Sequence, residues 1–199
     1  MVERATRKSS LQRKTRETDI QLVLDLDGTG QATIRTGVGF MDHMLTLFAV
    51  HGFFDLEIAA RGDIDVDDHH TVEDLGICLG MAFQQALGDK GGICRYGHAY
   101  VPMDETLARV CADFSNRPFL HYQVVMTEAK IGTFDTSLAK EFLRAFVQHS
   151  GLTLHVDLLH GENGHHILEA VFKALGRALA IAAGSNPKVC GQLSSKGVL

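Results

Sequence analysis

Hydrophobic and polar residues follow an order of strand and helix patterns that occurs twice along this chain of 199 residues. In the first half, IQLVLDL at 20–26 and QATIRT at 31–36 alternate as strands around a DGTG turn, which predicts a hairpin. A helix is then predicted over 40–51, a strand over 54–60 and a second helix over 71–87. The first half therefore has the order strands, helix, strand, helix.

The second half repeats this order. Its predicted elements are strands near 98–102, 106–114 and 119–125, a helix over 136–149, a strand over 152–159 and a helix over 166–183. This pattern predicts an α+β fold with internal duplication, in which two pseudo-equivalent halves each form a mixed sheet with two helices on one face. We expect a single domain over 1–199, with halves of about 15–95 and about 96–190.

The last nine residues, 191–199, form a tail rich in glycine and serine, after Gly184, Asn186 and Pro187 end the last helix. Such a tail is either disordered or closed over an anion. Its composition alone favours disorder.

Two stretches that begin at His69 and His165 share one pattern, two adjacent histidines followed by a glutamate at the start of an apolar helix. Their side chains are His69, His70 and Glu73 in the first copy, and His165, His166 and Glu169 in the second. Residues four apart lie on one helical face, so the first histidine and the glutamate of each copy can grip one ion. The second histidine points about 100° away around the axis.

Each copy also has a potential ligand on the preceding helix, namely His43 before the first pair and Glu141 before the second. Imidazole and carboxylate donors together fit Mn, Fe, Co or Zn better than Ca or Mg. If a pseudo-twofold axis relates the halves, one ion takes His69, Glu73 and His166, and the other takes His165, Glu169 and His70. The alternative is that these are ordinary helix-entry residues; that is favoured for one copy but not for two.

The net charge of −5 argues against general binding to nucleic acid or to an anionic membrane. The first segment is nevertheless basic, and we expect most of it to be a solvated arm; its cations are Arg4, Arg7, Lys8, Arg13, Lys14 and Arg16. The four cysteines show no Cys-x-x-Cys pairing, and neither a signal core nor a membrane-spanning apolar run is present. These features predict a soluble, cytoplasmic protein with reduced cysteines.

The segments RKTRETDI, FMDHML, GDIDVDDHHTVEDLG, NRPFL, FDTSLAKEFLRAF, LTLHV, HHILEAVFKALGRAL and SSKG together resemble the imidazoleglycerol-phosphate dehydratase family over nearly the whole chain. The resemblance implies a duplicated fold of the ribosomal protein S5 domain 2-like type. It also implies two Mn²⁺ ions per subunit and a homo-oligomer, expected to be a 24-mer, with sites at subunit contacts.

The resemblance marks the same histidines and glutamates as metal ligands. They are His43, His69, His70, Glu73, Glu141, His165, His166 and Glu169. This chain has glutamate at Glu141, where some relatives have histidine, and Leu47, where many have glutamine. Because a carboxylate still coordinates, we expect a change in metal preference at Glu141 and not loss of the site.

The implied reaction is dehydration of D-erythro-imidazole glycerol phosphate to imidazole acetol phosphate in histidine biosynthesis, a hydro-lyase step that proceeds through a dimetal-bound imidazolate. Glu17 matches the family's catalytic glutamate and is the first choice for proton transfer. Asp104 is a second candidate, and Glu169 could hold or deprotonate metal-bound water. The substrate-binding candidates are Glu17, His51, Arg95, Arg117, Lys173, Ser195 and Lys196.

Two other functions use the same residue types. Metal-dependent phosphoester hydrolysis would release inorganic phosphate from the substrate, and a non-catalytic metal-storage shell would bind ions without any turnover.

Overall fold

The computed structural model describes residues 7–199 and shows the same succession of main elements in both halves, with two additional short strands in the second. The first half consists of β1 (Lys8–Lys14), β2 (Thr18–Asp25), β3 (Ala32–Arg35), α1 (Gly39–Gly52), β4 (Asp55–Gly62) and α2 (His69–Leu87). The second half consists of β5 (Tyr96–Met103), β6 (Thr106–Asp113), β7 (Phe119–Gln123), the short β8 (Lys130–Ile131) and β9 (Phe134–Asp135), α3 (Leu138–Ser150), β10 (Thr153–His160) and α4 (Gly164–Ala183).

The two main sheets have equivalent strand orders. The first is β1-β2-β4-β3 and the second is β5-β6-β10-β7. In each sheet only the last pair is parallel, β3 with β4 and β7 with β10, while the other pairs are antiparallel. The predicted α+β fold, duplicated as two mixed sheets with two helices each, is confirmed.

The predicted hairpin between β2 and β3 is wrong, because β4 lies between these two strands. The Asp55 side chain explains the path of the chain here, since its Oδ1 accepts hydrogen bonds from the backbone N–H groups of Thr29 (2.8 Å) and Gln31 (2.9 Å). A Cβ atom at Gly28 would overlap the backbone of Asp55. The DGTG segment therefore wraps the start of β4 and does not reverse the chain into a hairpin.

The basic first segment is not a solvated arm over its described part, because Lys8–Lys14 forms β1 at the edge of the first sheet. Four of its cations, Arg7, Lys8, Arg13 and Lys14, pair with carboxylates, as in Lys8–Asp25 at 2.8 Å. Arg13 Nη1 lies 2.5 Å from Asp74 Oδ2 on α2, where Asp74 is buried. Lysine and arginine on an edge strand also discourage pairing with other chains. Arg4 lies outside the residues that the structure describes.

The helices of the two halves pack against each other as two pairs, α1 with α4 and α2 with α3, while α1 and α2 also contact the first sheet and α3 and α4 the second. Glycine residues allow the two helices of each pair to approach closely. A Cβ atom at Gly176 on α4 would overlap the carbonyl oxygen of Phe48 on α1, and one at Gly80 on α2 would lie 2.6 Å from the carbonyl oxygen of Phe146 on α3. The pairing brings α1 of the first half against the histidine-bearing α4 of the second.

Over residues 7–199, no helix combines the length and the apolar character needed to cross a membrane.

Replacing Gly176 with alanine should destabilise the protein by about 1–3 kcal/mol, the usual cost of forcing an extra methyl group into a well-packed contact. Gly39→Ala is a matched control, since Gly39 lies at the start of α1 and a Cβ atom there would meet nothing within 4 Å. Thermal and urea unfolding of both variants would check this, and equal stability of the two would contradict the close α1–α4 contact.

Candidate metal centre

Three potential ligands from different halves of the chain converge where α1 meets α4. His43 lies on α1, and His165 and Glu169 lie one turn apart at the start of α4. Their ligand atoms all lie within 4.8 Å of one another, and among residues 7–199 no other group of three or more histidine, cysteine or acidic side chains is as close. The helix crossing thus produces a site that neither half contains alone.

The spacing of these atoms fits a metal ion. Glu169 Oε2 is 3.4 Å from His43 Nε2 and 3.2 Å from His165 Nε2. Ligand atoms at right angles around one ion are about 3 Å apart when the bonds are about 2.1 Å long. Two imidazoles and one carboxylate are also the mixed nitrogen and oxygen set that first-row metals such as Mn²⁺, Fe²⁺ and Zn²⁺ accept. The residues present therefore fit the expected group.

Glu169 is buried, with only 8% of its surface exposed, and a cation balances its charge. Lys173, one turn along α4, places Nζ 2.5 Å from Oε1. Burial by itself raises the pKa of Glu169, but the Lys173 ammonium and the two histidines outweigh it, and the net pKa is lowered. Glu169 is therefore held as a carboxylate, the form that binds metal.

The corresponding ligands of the first half, His69 and Glu73, form a less complete set within one chain. His69 Nε2 lies 3.7 Å from Glu73 Oε2, one turn along α2. Glu141, which the sequence predicts as a further ligand here, accepts a 2.8 Å hydrogen bond from Arg144 on its own helix. Because α2 packs against α3, the helix that carries Glu141 does lie beside the one that carries this pair.

The second histidine of each pair has its ring nearly perpendicular to that of the first and contacts other carboxylates. The rings of His69 and His70 are inclined at 89°, and those of His165 and His166 at 90°. His70 Nδ1 lies 3.0 Å from Asp63 Oδ2, and the hydrogen bond to this carboxylate is the main reason why the pKa of His70 is raised. Its Nε2 lies 4.0 Å from Oε1 of Glu17, on the turn between β1 and β2.

His166 has the corresponding environment in the second half. Its Nδ1 lies 2.8 Å from Glu105 Oε2, and its Nε2 lies 3.8 Å from Asp104 Oδ2, both on the turn between β5 and β6. Hydrogen bonds from the backbone N–H of Asn163 and from His166 hold the pKa of Glu105 far below its usual range. In turn, Glu105 raises the pKa of His166.

Sequence reasoning missed Asp63 and Glu105. Asp63 is one of four aspartates in GDIDVDD, and Glu105 follows an aspartate at a turn, so no periodicity distinguishes either residue from its neighbours. Their duplicated relation to the second histidines emerges only from the folded geometry.

The substrate-binding candidates contact two different parts of the chain. Lys173 lies beside Glu169, and charges from Lys173 and Arg177, added to burial, lower the pKa of the nearby His51. Arg95 instead contacts Asp113, with Nε 2.7 Å from Oδ1, and donates a 2.6 Å hydrogen bond to the carbonyl of Leu193. Arg117 Nη2 is 3.9 Å from the same aspartate.

The tail residues Ser195 and Lys196 lie next to the segment that Arg95 holds. Ser195 lines a cleft with Arg95 and Tyr96, and the backbone N–H of Lys196 donates to the hydroxyl of Ser194. Further along, Gln192 donates to the carbonyl of Asp89 and accepts from the backbone N–H of Leu199. The tail thus folds back on itself beside Arg95, a candidate phosphate-binding residue. Leu47, the other departure from the family pattern, packs against the hydrophobic core.

Comparisons with known proteins agree with this architecture. A family model described as imidazoleglycerol-phosphate dehydratase matches residues 36–179. The imidazoleglycerol-phosphate dehydratase of Desulfotalea psychrophila is 61% identical over 196 residues, which cover 97% of this chain and 96% of that protein. The enzyme of Syntrophobacter fumaroxidans is 59% identical, with coverage of 97% and 98%.

Solved structures give the same result. The crystal structure of imidazoleglycerol-phosphate dehydratase from Staphylococcus aureus superposes with a TM-score of 0.82 at 45% identity, covering 90% of this chain and 99% of that one. The enzyme from Pyrococcus furiosus, solved in complex with (S)-C348, also gives 0.82, at 40% identity and with coverage of 95% and 100%. The chain therefore belongs to the imidazoleglycerol-phosphate dehydratase family and is a hydro-lyase of histidine biosynthesis.

Proposed function

We propose that the chain converts D-erythro-imidazole glycerol phosphate to imidazole acetol phosphate with two Mn²⁺ ions per subunit, in a homo-oligomer of 24 subunits. The observation that carries this proposal is the split arrangement of the ligands. One chain gathers His43, His165 and Glu169, while His70 and His166 contact carboxylates outside this group. Because membership of this family makes the chain an enzyme, a storage shell is not needed to explain its metal ligands.

The ligand sets are proposed to be completed between subunits. His43, His165 and Glu169 form one set with a partner's His70, and His69, Glu73 and Glu141 form the other with a partner's His166. These residues would hold the ions, which would supply Lewis acidity toward the imidazole ring of the substrate.

Proton transfer is assigned to the carboxylates at the turns. Glu17 is half exposed and lies 4.0 Å from His70, so its carboxylate is available to take up a carbon-bound proton close to a metal ligand. Asp104 lies on the equivalent turn beside His166 and is the second candidate for this role. Glu169 is fitted to hold an ion or a water molecule, because Lys173 and two histidines already surround it.

The phosphate of the substrate is proposed to bind Arg95, Arg117, Lys173, Ser195 and Lys196, with His51 as a further substrate contact. Arginine offers a planar pair of donors that matches two phosphate oxygens. Asp113 orients the guanidinium of Arg95 through two hydrogen bonds, and Arg117 lies 3.9 Å from the same carboxylate. The tail lies against Arg95, so an anion bound there would contact both the arginine and the Ser195–Lys196 segment.

His165→Ala should remove one of the two Mn²⁺ ions, because it deletes a ligand from the group at the α1–α4 crossing. Affinity at that site should fall by more than the roughly 10- to 100-fold that loss of an outer hydrogen-bond partner costs. Metal analysis and calorimetric titration would measure this, with His160→Ala on β10 as the control. Two tightly bound ions in the His165→Ala protein would contradict the assignment.

Glu17→Gln should lower kcat by about 100- to 10,000-fold, the usual contribution of a general acid or base, while metal content stays at two ions. The assay follows formation of imidazole acetol phosphate. Glu57→Gln is the matched control, because Glu57 is an exposed glutamate on β4. Unchanged turnover in Glu17→Gln would move the role to Asp104.

His70→Ala and His166→Ala should each lower metal content and shift the assembly to smaller species, because each is proposed to bind an ion held mainly by another subunit. Analytical ultracentrifugation with and without Mn²⁺ would show the change. The bridging arrangement is wrong if both variants keep the metal stoichiometry and size of the unmodified protein.

A further inference from the structure

We propose that Asp63 and Glu105 are positioning residues that present Nε2 of His70 and His166 as metal ligands, and that the two halves supply these carboxylates from different places. This inference rests on the proposed function, because it concerns how two of the proposed ligands are oriented. It also explains why only one of two structurally equivalent glutamates is available for proton transfer.

The equivalence of the halves around these residues follows from their packing. Gly62 ends β4 opposite Thr18 of β2, and a Cβ atom on it would overlap Thr71 on α2. Gly161 follows β10, and a Cβ atom on it would lie 2.7 Å from Thr106 Oγ1 and 2.9 Å from Ile167 Cγ1. The corresponding residues are thus Gly62 with Gly161, Thr18 with Thr106, and Thr71 with Ile167.

Glu17 and Glu105 occupy the same place in the two halves, since each directly precedes one of the two equivalent threonines. Each also lies on the turn before the second strand of its half, β2 or β6. Both glutamates approach the second histidine of their own half, but they do so differently.

Both carboxylate oxygens of Glu105 take part in hydrogen bonds. One carboxylate oxygen contacts Nδ1 of His166 at 2.8 Å, and the other accepts hydrogen bonds from the backbone N–H groups of Glu162 (3.2 Å) and Asn163 (2.9 Å). These backbone contacts fix the carboxylate in place just before α4. Glu105 is therefore committed to orienting the histidine and cannot also move freely as a base.

Glu17 does not contact Nδ1 of the second histidine, because the first half has a longer loop before its histidines. Residues 63–68 separate Gly62 from His69, whereas only 162–164 separate Gly161 from His165. The longer loop brings Asp63 to 3.0 Å from Nδ1 of His70. Glu17 instead lies on the other side of the ring, with its Oε1 4.0 Å from Nε2 of His70.

A carboxylate at Nδ1 has a defined chemical effect. It accepts the Nδ1 proton, which leaves the lone pair on Nε2 for a metal ion and makes that nitrogen more basic. The same contact holds the ring plane in one orientation. Both effects act on metal affinity, and neither requires Asp63 or Glu105 to touch the substrate.

The test compares Mn²⁺ binding, by calorimetry and by the electron paramagnetic resonance signal of free Mn²⁺, in Glu105→Gln, Asp63→Ala and Asp63→Asn. In Glu105→Gln the side-chain oxygen can still accept from Glu162 and Asn163, which turns the amide NH₂ group toward Nδ1 and favours the wrong tautomer. Affinity at one of the two sites should fall about 10- to 100-fold, with the melting temperature retained.

Asp63→Ala should weaken the other site by a similar factor of about 10- to 100-fold. Asp63→Asn should recover part of that loss, because its amide oxygen can still accept the Nδ1 proton. Asp65→Asn and Glu162→Gln are matched controls, since each removes an exposed charge from the same two loops. Both controls should bind Mn²⁺ as the unmodified protein does.

The outcomes separate this inference from the proposed function. If the unmodified protein binds no Mn²⁺, the proposed metal chemistry fails. If it binds two ions and Glu105→Gln and Asp63→Ala bind them equally well, the positioning role is wrong while the metal chemistry stands. A loss of affinity that Asp63→Asn does not partly restore would also overturn the role of the Nδ1 contact.

Discussion

The contact between α1 and α4 is the constraint on which the candidate metal centre depends. It brings His43 from the first half to within 3.4 Å of the buried Glu169 from the second, and it is possible only because Gly176 leaves room for the carbonyl oxygen of Phe48. A buried carboxylate is costly unless opposite charge or hydrogen bonds compensate it. Lys173 and the two histidines supply that compensation here, so the packing of the helices and the electrostatics of the site are mutually dependent.

Duplication has produced two similar frameworks whose polar residues have diverged. The strand orders match, and the second histidine of each half is turned perpendicular to the first. The carboxylates around these histidines differ, since His70 meets Asp63 from a loop and His166 meets Glu105 from a turn. A fold with internal symmetry can in this way hold two comparable histidines while the equivalent glutamates, Glu17 and Glu105, make different contacts.

Features that depend on short-range periodicity could be predicted from the sequence. Features that depend on contacts between residues far apart in the chain could not. The i, i+4 spacing of His165 and Glu169 and the divergence of adjacent histidines follow from helix geometry, and both are present. The β2–β3 hairpin was wrong because the Asp55 carboxylate, from a later strand, captures the loop. The basic segment was taken for an arm because nothing local shows that Arg13 would meet the buried Asp74.

The orientation of His70 and His166 bears most directly on how metal binding and subunit assembly would be linked. Each has Nδ1 occupied by a carboxylate, which leaves Nε2 as the nitrogen free to bind metal, and each ring is nearly perpendicular to that of the histidine beside it. In this orientation, His70 and His166 can act as ligands only where an ion reaches Nε2 from outside their own chain. Under the proposed function, a neighbouring subunit supplies that ion, so assembly and metal loading become one equilibrium. A chain with well-formed helices would then remain inactive until its partners arrive, because its ligand sets are completed only between chains.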